Sequence, residues 1–267
     1  MSVEFLAKDL KHQLEHARRI REYAYTILEG EHKNDFERKD YIGFALFNRC
    51  LQTHEATEIL VKHSLVDDAW VLVRSLVEHT VNCAYMFNVA NAQTADDFAD
   101  YPDYKRHTEL QDLRATNEEL VRQIVPAEQE EKLRARYEAV RGRFDGRRGD
   151  RWCLDERLYK RAVRVDEKIS EAKKEKHTDF LWLVNSVWRY GSAYVHGSAD
   201  VLADQVTETK DGVKIQRKYT EQEGAQVLCS ASLALFLVLL LVDLRLGGRN
   251  AEEIKQRFAD WSGTQQG

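Results

Sequence analysis

The chain has 267 residues, 43% hydrophobic and 32% charged, which excludes wholesale disorder and supplies a sizeable core for one large domain or two small ones. Two prolines and 13 glycines are too few turn residues for a sandwich or barrel of many short strands. With 40 basic and 45 acidic side chains the net charge is −5, so nucleic-acid binding would need a local basic patch.

From Val3 to Glu29 the positions Phe5, Leu6, Leu10, Leu14, Ala17, Ile20, Ala24 and Ile27 form an apolar stripe, predicting an amphipathic helix closed by Gly30. A second helix is expected over 40–63. The third, over 67–88, is apolar on nearly every side through Ala69–Val73, Leu76, Val77 and Cys83–Phe87, and belongs at the centre of a bundle. Thr94 with Asp97, and Thr116 with Glu119, have capping-box spacing and predict two charged helices in the 94–142 region, and Pro126 suits the first turn of the next helix. The segment from Arg141 to Arg151 then carries five arginines, three glycines and two aspartates. A charged helix over 155–174 completes a polar stretch, about 94–175, read as a solvated insertion in a single helical domain spanning 1–267.

An aromatic helix follows from Thr178 to His196, stopped by Gly197. Asp211-Gly212 between alternating runs predicts a β-hairpin within 206–219. Thr220 with Glu223 starts the last long helix, whose Leu233–Val242 run is core, and Asn250 with Glu253 starts a short terminal one. The expected fold is all-α: a multi-helix bundle with one small β-hairpin, its core formed by helices near 40–88, 178–196 and 221–246.

Cys50, Cys83, Cys153 and Cys229 lack the spacing of a disulfide framework or a metal site. The first 19 residues carry early charges and no apolar run, unlike a signal peptide. Val227–Val242, a long uncharged run, is shorter than the ~20 residues of a membrane span. A cytoplasmic chain without membrane association is expected.

Two residue groups can carry chemistry. Arg74 and Glu78 are i,i+4 on the most apolar helix, so they can pair, and the pair is expected to be desolvated. It either holds the bundle in register or poises a cation to grip a phosphate or other anion. Arg189, Ser192 and His196 are i, i+3, i+7 and share one helix face. His196 at a helix C-terminus is a plausible acid or base, because the dipole there favours its charged form. Otherwise it caps its own helix, with Tyr190 and Tyr194 filling core space. Gly191 within that helix suggests close approach of a backbone or a ligand. Arg143, Arg147, Arg148 and Arg151 can contact RNA phosphates, with Phe144 and Trp152 as stacking partners, or form a solvated face. No Walker loop, GxGxxG, HExxH or GxSxG is present, and no metal or cofactor is expected.

Arg189-x6-His196-Gly197, closing an aromatic helix, resembles the Arg-x(4–6)-His motif of the HEPN superfamily (higher eukaryotes and prokaryotes nucleotide-binding). Arg74-x4-His79 fits the same spacing, so two windows compete. Arg74-Ser-x-x-Glu78 together with Tyr190-x-Ser192-x-x-x-His196-Gly197 is also similar to a bacterial all-helical family of unknown function, over about Asp40 to Leu246. The HEPN resemblance implies a metal-independent endoribonuclease acting as a homodimer, of the toxin or phage-defence kind, with a protein antitoxin or regulator as a partner. In that reading His196 takes the proton of a ribose 2′-OH or gives one to the leaving oxygen, and Arg189 and Arg74 stabilise charge on the phosphate. The competing reading is a non-catalytic binding or regulatory protein whose Arg74, Glu78 and His196 form a structural network.

Overall fold

A computed structural model describes residues 9–30, 35–145, 152–153, 157–198, 206–210, 212–215 and 219–262. Helix α1 (Leu10–Leu28) is capped by Asp9, whose carboxylate accepts from the Lys11 N–H, and it buries the expected stripe of Ala17, Ile20, Ala24 and Ile27. Helix α2 (Arg38–Lys62) opens with a capping box between Glu37 and Asp40, a start that the sequence reading does not register. Ser64, at φ 58°, turns the chain tightly into α3 (Val66–Asn88). Helix α3 packs against α2 and carries Ala69, Val73, Leu76, Val77, Val81 and Ala84 with no exposed surface. It is the central helix, as its apolar character predicts.

The polar middle holds three helices, α4 (Ala92–Thr116), α5 (Glu118–Ile124) and α6 (Ala127–Phe144), the last starting directly after Pro126. It differs from expectation in two ways. First, the caps of α4 and α5 are asparagines. Asn91 accepts from the Thr94 N–H at 2.8 Å and Asn117 from the Leu120 N–H at 3.0 Å. Thr94 gives its hydroxyl to Asn91, and Thr116 turns its own back to the Asp112 carbonyl, so neither threonine is a cap. Helix α4 also runs through Pro102. Second, the solvated insertion ends early. Helix α7 (Leu158–Lys173) packs against α3 and buries Ala162, Val165 and Ile169 in the main core, at helical spacing that its many charges obscure.

Next come α8 (Asp179–Trp182), a π-helical segment (Leu183–Trp188) and α9 (Arg189–Val195). Asp166 of α7 anchors this run. Its carboxylate accepts the N–H groups of Phe180 (3.2 Å) and Leu181 (2.8 Å) and faces His177 Nδ1 at 2.9 Å. Strands β1 (Val206–Thr209) and β2 (Gly212–Ile215) pair antiparallel, with Val206 opposite Ile215 and Thr209 opposite Gly212. Helix α10 (Glu221–Arg245) starts with the Thr220–Glu223 capping box and lies against α1, α2 and α3. Among the described residues it alone is long and apolar enough to cross a membrane, but most of it is buried within this bundle. Helix α11 (Ala251–Ser262) follows, with Asn250 held before it by the buried Asp243 carboxylate.

Candidate functional site

Helices α3 and α9 meet at Gly191. A Cβ there would stand 2.8 Å from the Trp70 carbonyl oxygen and 2.9 Å from Arg74 Cβ, so only glycine lets α9 lie this close. The close approach inferred from a mid-helix glycine is therefore to a neighbouring backbone.

That contact joins the two residue groups. Arg74 Nε donates to Ser192 Oγ at 3.0 Å, and the Ser192 hydroxyl donates to the Trp188 carbonyl at 2.8 Å. Arg74 Nη2 stands 3.2 Å from Glu78 Oε1, and Trp188 Nε1 donates to the same oxygen at 2.7 Å. The guanidinium also lies 5.0 Å from the centroid of the Trp188 ring. Arg74, Ser192, Trp188 and Glu78 thus close a ring of polar contacts across two helices. Sequence reasoning placed Trp188 only among the crowded aromatics of this helix, some of them expected to meet a partner chain, and gave it no polar role. The signal was that 74/78 and 188/192 are both i,i+4 pairs, each presenting two polar groups along one side of its helix.

The expectation that Arg74 and Glu78 are desolvated needs correction. Their side chains are 24% and 37% exposed, because this side of α3 reaches the rim of the bundle where the short α9 covers it only in part. A half-solvated pair is worth far less than a buried one. A double-mutant cycle with Arg74→Ala and Glu78→Ala is expected to give a coupling of about 1 kcal/mol in chemical denaturation. A coupling of about 3 kcal/mol or more would restore the buried-pair reading.

Arg189 and His196 are both exposed on α9 and at its end. Among the described residues neither has an ion-pair partner within 4 Å. Seven residues of α-helix return to within about 20° of the starting direction, so they share the outward face flanked by Ser192. The end of α9 is already capped by backbone. The N–H groups of His196, Gly197 and Ser198 donate to the carbonyls of Ser192, Tyr194 and Ala193, with Gly197 at φ 55°. The imidazole is not needed as a cap. His79 instead stands partly buried on α3 with Nδ1 enclosed and unpartnered, and burial, then the Arg49 charge, lower its pKa.

Beside this site Trp70, Tyr190 and Tyr194 form an aromatic cluster. Tyr190 meets Trp70 edge to face at 4.7 Å, Tyr194 stacks on Trp70 at 6.2 Å, and the two phenol oxygens are 3.2 Å apart. Burial, then the hydrogen bond with Tyr190, raises the Tyr194 pKa.

The arginine-rich segment reads differently. Arg143 is held by Asp97 at 3.0 Å and Asp100 at 2.5 Å, so meeting a phosphate would break two ion pairs. Phe144 is fully buried and Trp152 nearly so, which removes both expected stacking partners from solvent. They fill the space between α4 and its neighbours, Phe144 against Tyr101 and Tyr104, Trp152 against Phe98 and Tyr85. Arg147, Arg148 and Arg151 lie outside the described residues. Among the described residues no group of three or more His, Cys, Asp or Glu side chains is placed to hold a metal ion.

No curated protein and no solved structure matches the chain. A family model does match, over residues 40–213, a span that runs from α2 to β2 and contains Arg74, Glu78, Trp188, Arg189, Ser192 and His196. The chain therefore belongs to the family described as a family of unknown function, DUF5677.

Proposed function

We propose that this protein is a HEPN-like, metal-independent endoribonuclease that works as a homodimer, as a toxin or phage-defence effector in the cytoplasm, restrained by a protein antitoxin or regulator. The observation that carries this reading is the Arg74–Ser192 hydrogen bond, 3.0 Å long. It draws the first arginine window onto the helix of the second, beside the outward face that bears Arg189 and His196. In this reading His196 accepts the proton of a ribose 2′-OH. The freed 2′-oxygen attacks the adjacent phosphorus, and the departing 5′-oxygen takes up a proton, so the chain is cut without water. Arg189 and the open side of the Arg74 guanidinium offset the charge that builds on the phosphate.

Purified protein is expected to cut total RNA in the presence of EDTA. Intact RNA after prolonged incubation at high micromolar enzyme would sink the proposal. The composite site also requires a dimer, so light scattering at that concentration should return twice the chain mass. A monomer mass would remove the two-fold site.

A second reading has its own support. Arg74, Glu78, Trp188 and Ser192 satisfy one another in a closed ring, as a structural network in a non-catalytic binding protein would. In that case the RNA stays intact and Arg74→Ala changes only the thermal midpoint.

A further inference from the structure

Tyr190 is 48% exposed, yet its position is fixed. Its ring rests edge to face on Trp70, which is 4% exposed, and its hydroxyl is joined to that of Tyr194. An aromatic ring held on two others loses little conformational freedom when something packs on it. Arg189 precedes it in the chain and is exposed, with no ion-pair partner among the described residues. Arg189 is thus an exposed cation adjacent in the chain to the fixed ring of Tyr190.

We propose that Tyr190 is a stacking platform for one unpaired nucleobase, with the phosphate of that nucleotide directed to Arg189. This deepens the ribonuclease reading and rests on it: the substrate class becomes single-stranded RNA, with duplex excluded because a paired base keeps its face within the helix. A flat, uncharged base suits an exposed tyrosine ring, and the neighbouring Arg189 charge sets which end of the nucleotide carries the phosphate. Stacking reads no base edge, so the site should tolerate any base, with purines preferred for their larger face.

The test uses binding alone. A fluorescein-labelled 2′-O-methyl oligoadenylate has no free 2′-OH, so it reports affinity without cleavage. Anisotropy titrations of the full chain should show Tyr190→Ala binding about tenfold more weakly, or worse, than wild type. Tyr190→Phe and Tyr190→Trp, which keep a ring, should bind within about threefold of wild type, and a duplex of the same length should bind Tyr190→Ala and wild type alike. Equal affinity of wild type and Tyr190→Ala for the single strand would overturn the proposal, as would a loss in Tyr190→Phe as large as in Tyr190→Ala. The outcome is separable from that of the ribonuclease reading. Ring-dependent binding without cleavage of unmodified RNA sinks only the chemistry, whereas cleavage that Tyr190→Ala leaves intact, with unchanged affinity, sinks only the platform.

Discussion

Replacing His196 by alanine is expected to lower RNA cleavage by about 10²–10⁴-fold, the usual contribution of a positioned acid or base, while leaving the thermal midpoint unchanged. Stability should not suffer because the imidazole is exposed and the last carbonyls of α9 are already taken by backbone N–H groups. His79→Ala should do the reverse. Its side chain is partly buried on α3, with Nδ1 enclosed, so truncation lowers the midpoint and spares catalysis. His79 is five residues from Arg74, which on a regular helix turns it about 140° away from that arginine. The check is a paired measurement of cleavage rate and thermal midpoint for both variants. An inactive His79→Ala with a normal midpoint, beside an active His196→Ala, would show that the first Arg/His window is the working one.

The largest effect on stability is expected from Arg245→Ala, with a loss of about 3–5 kcal/mol. Arg245 grips Asp40 through Nε (2.8 Å) and Nη2 (2.5 Å), and Asp40 has no exposed surface. Without the arginine a carboxylate remains enclosed beside one backbone donor, the Glu37 N–H. The reverse change should cost less. Asp40→Ala frees an arginine whose side chain is 37% exposed and can turn to water, leaving mainly the lost cap of α2 at about 1 kcal/mol. Urea denaturation of the two variants and of the double variant reads both numbers. Equal losses for the two single variants would mean that Asp40 reaches solvent on its own.

Much of the architecture is written in periodicity. The all-round apolar pattern of Ala69–Phe87 places α3 at the centre, and Thr220 with Glu223 marks the start of α10 to the residue. The resemblance to an all-helical family of unknown function is placed over about Asp40 to Leu246, and the model of a family of unknown function matches residues 40–213. Contacts between distant segments were not legible. The Trp188 indole reaches Glu78 across 110 positions, and nothing local distinguishes it from a core tryptophan. Asp166 reads as one charge among many in α7, although it fixes the start of the run that leads to the site. The stripe of Ala162, Val165 and Ile169 is short and small, so surrounding lysines and arginines outweighed it. Charge composition described the surface of α7 and concealed its core.

The π-helical segment Leu183–Trp188 has a consequence for how this chain tolerates changes in length. A π turn houses one more residue than an α turn, so it stores a surplus without altering the phase of the helix beyond it. A single-residue deletion within 183–188 can close that turn to ordinary α-helix and leave Gly191 seated on Trp70, with His196 still outward. The same deletion a few positions later, between Gly191 and His196, has no slack to absorb it and swings the imidazole through about 100°. Insertions and deletions compatible with this site should therefore gather in the segment just before Arg189 and be absent from the seven positions after it.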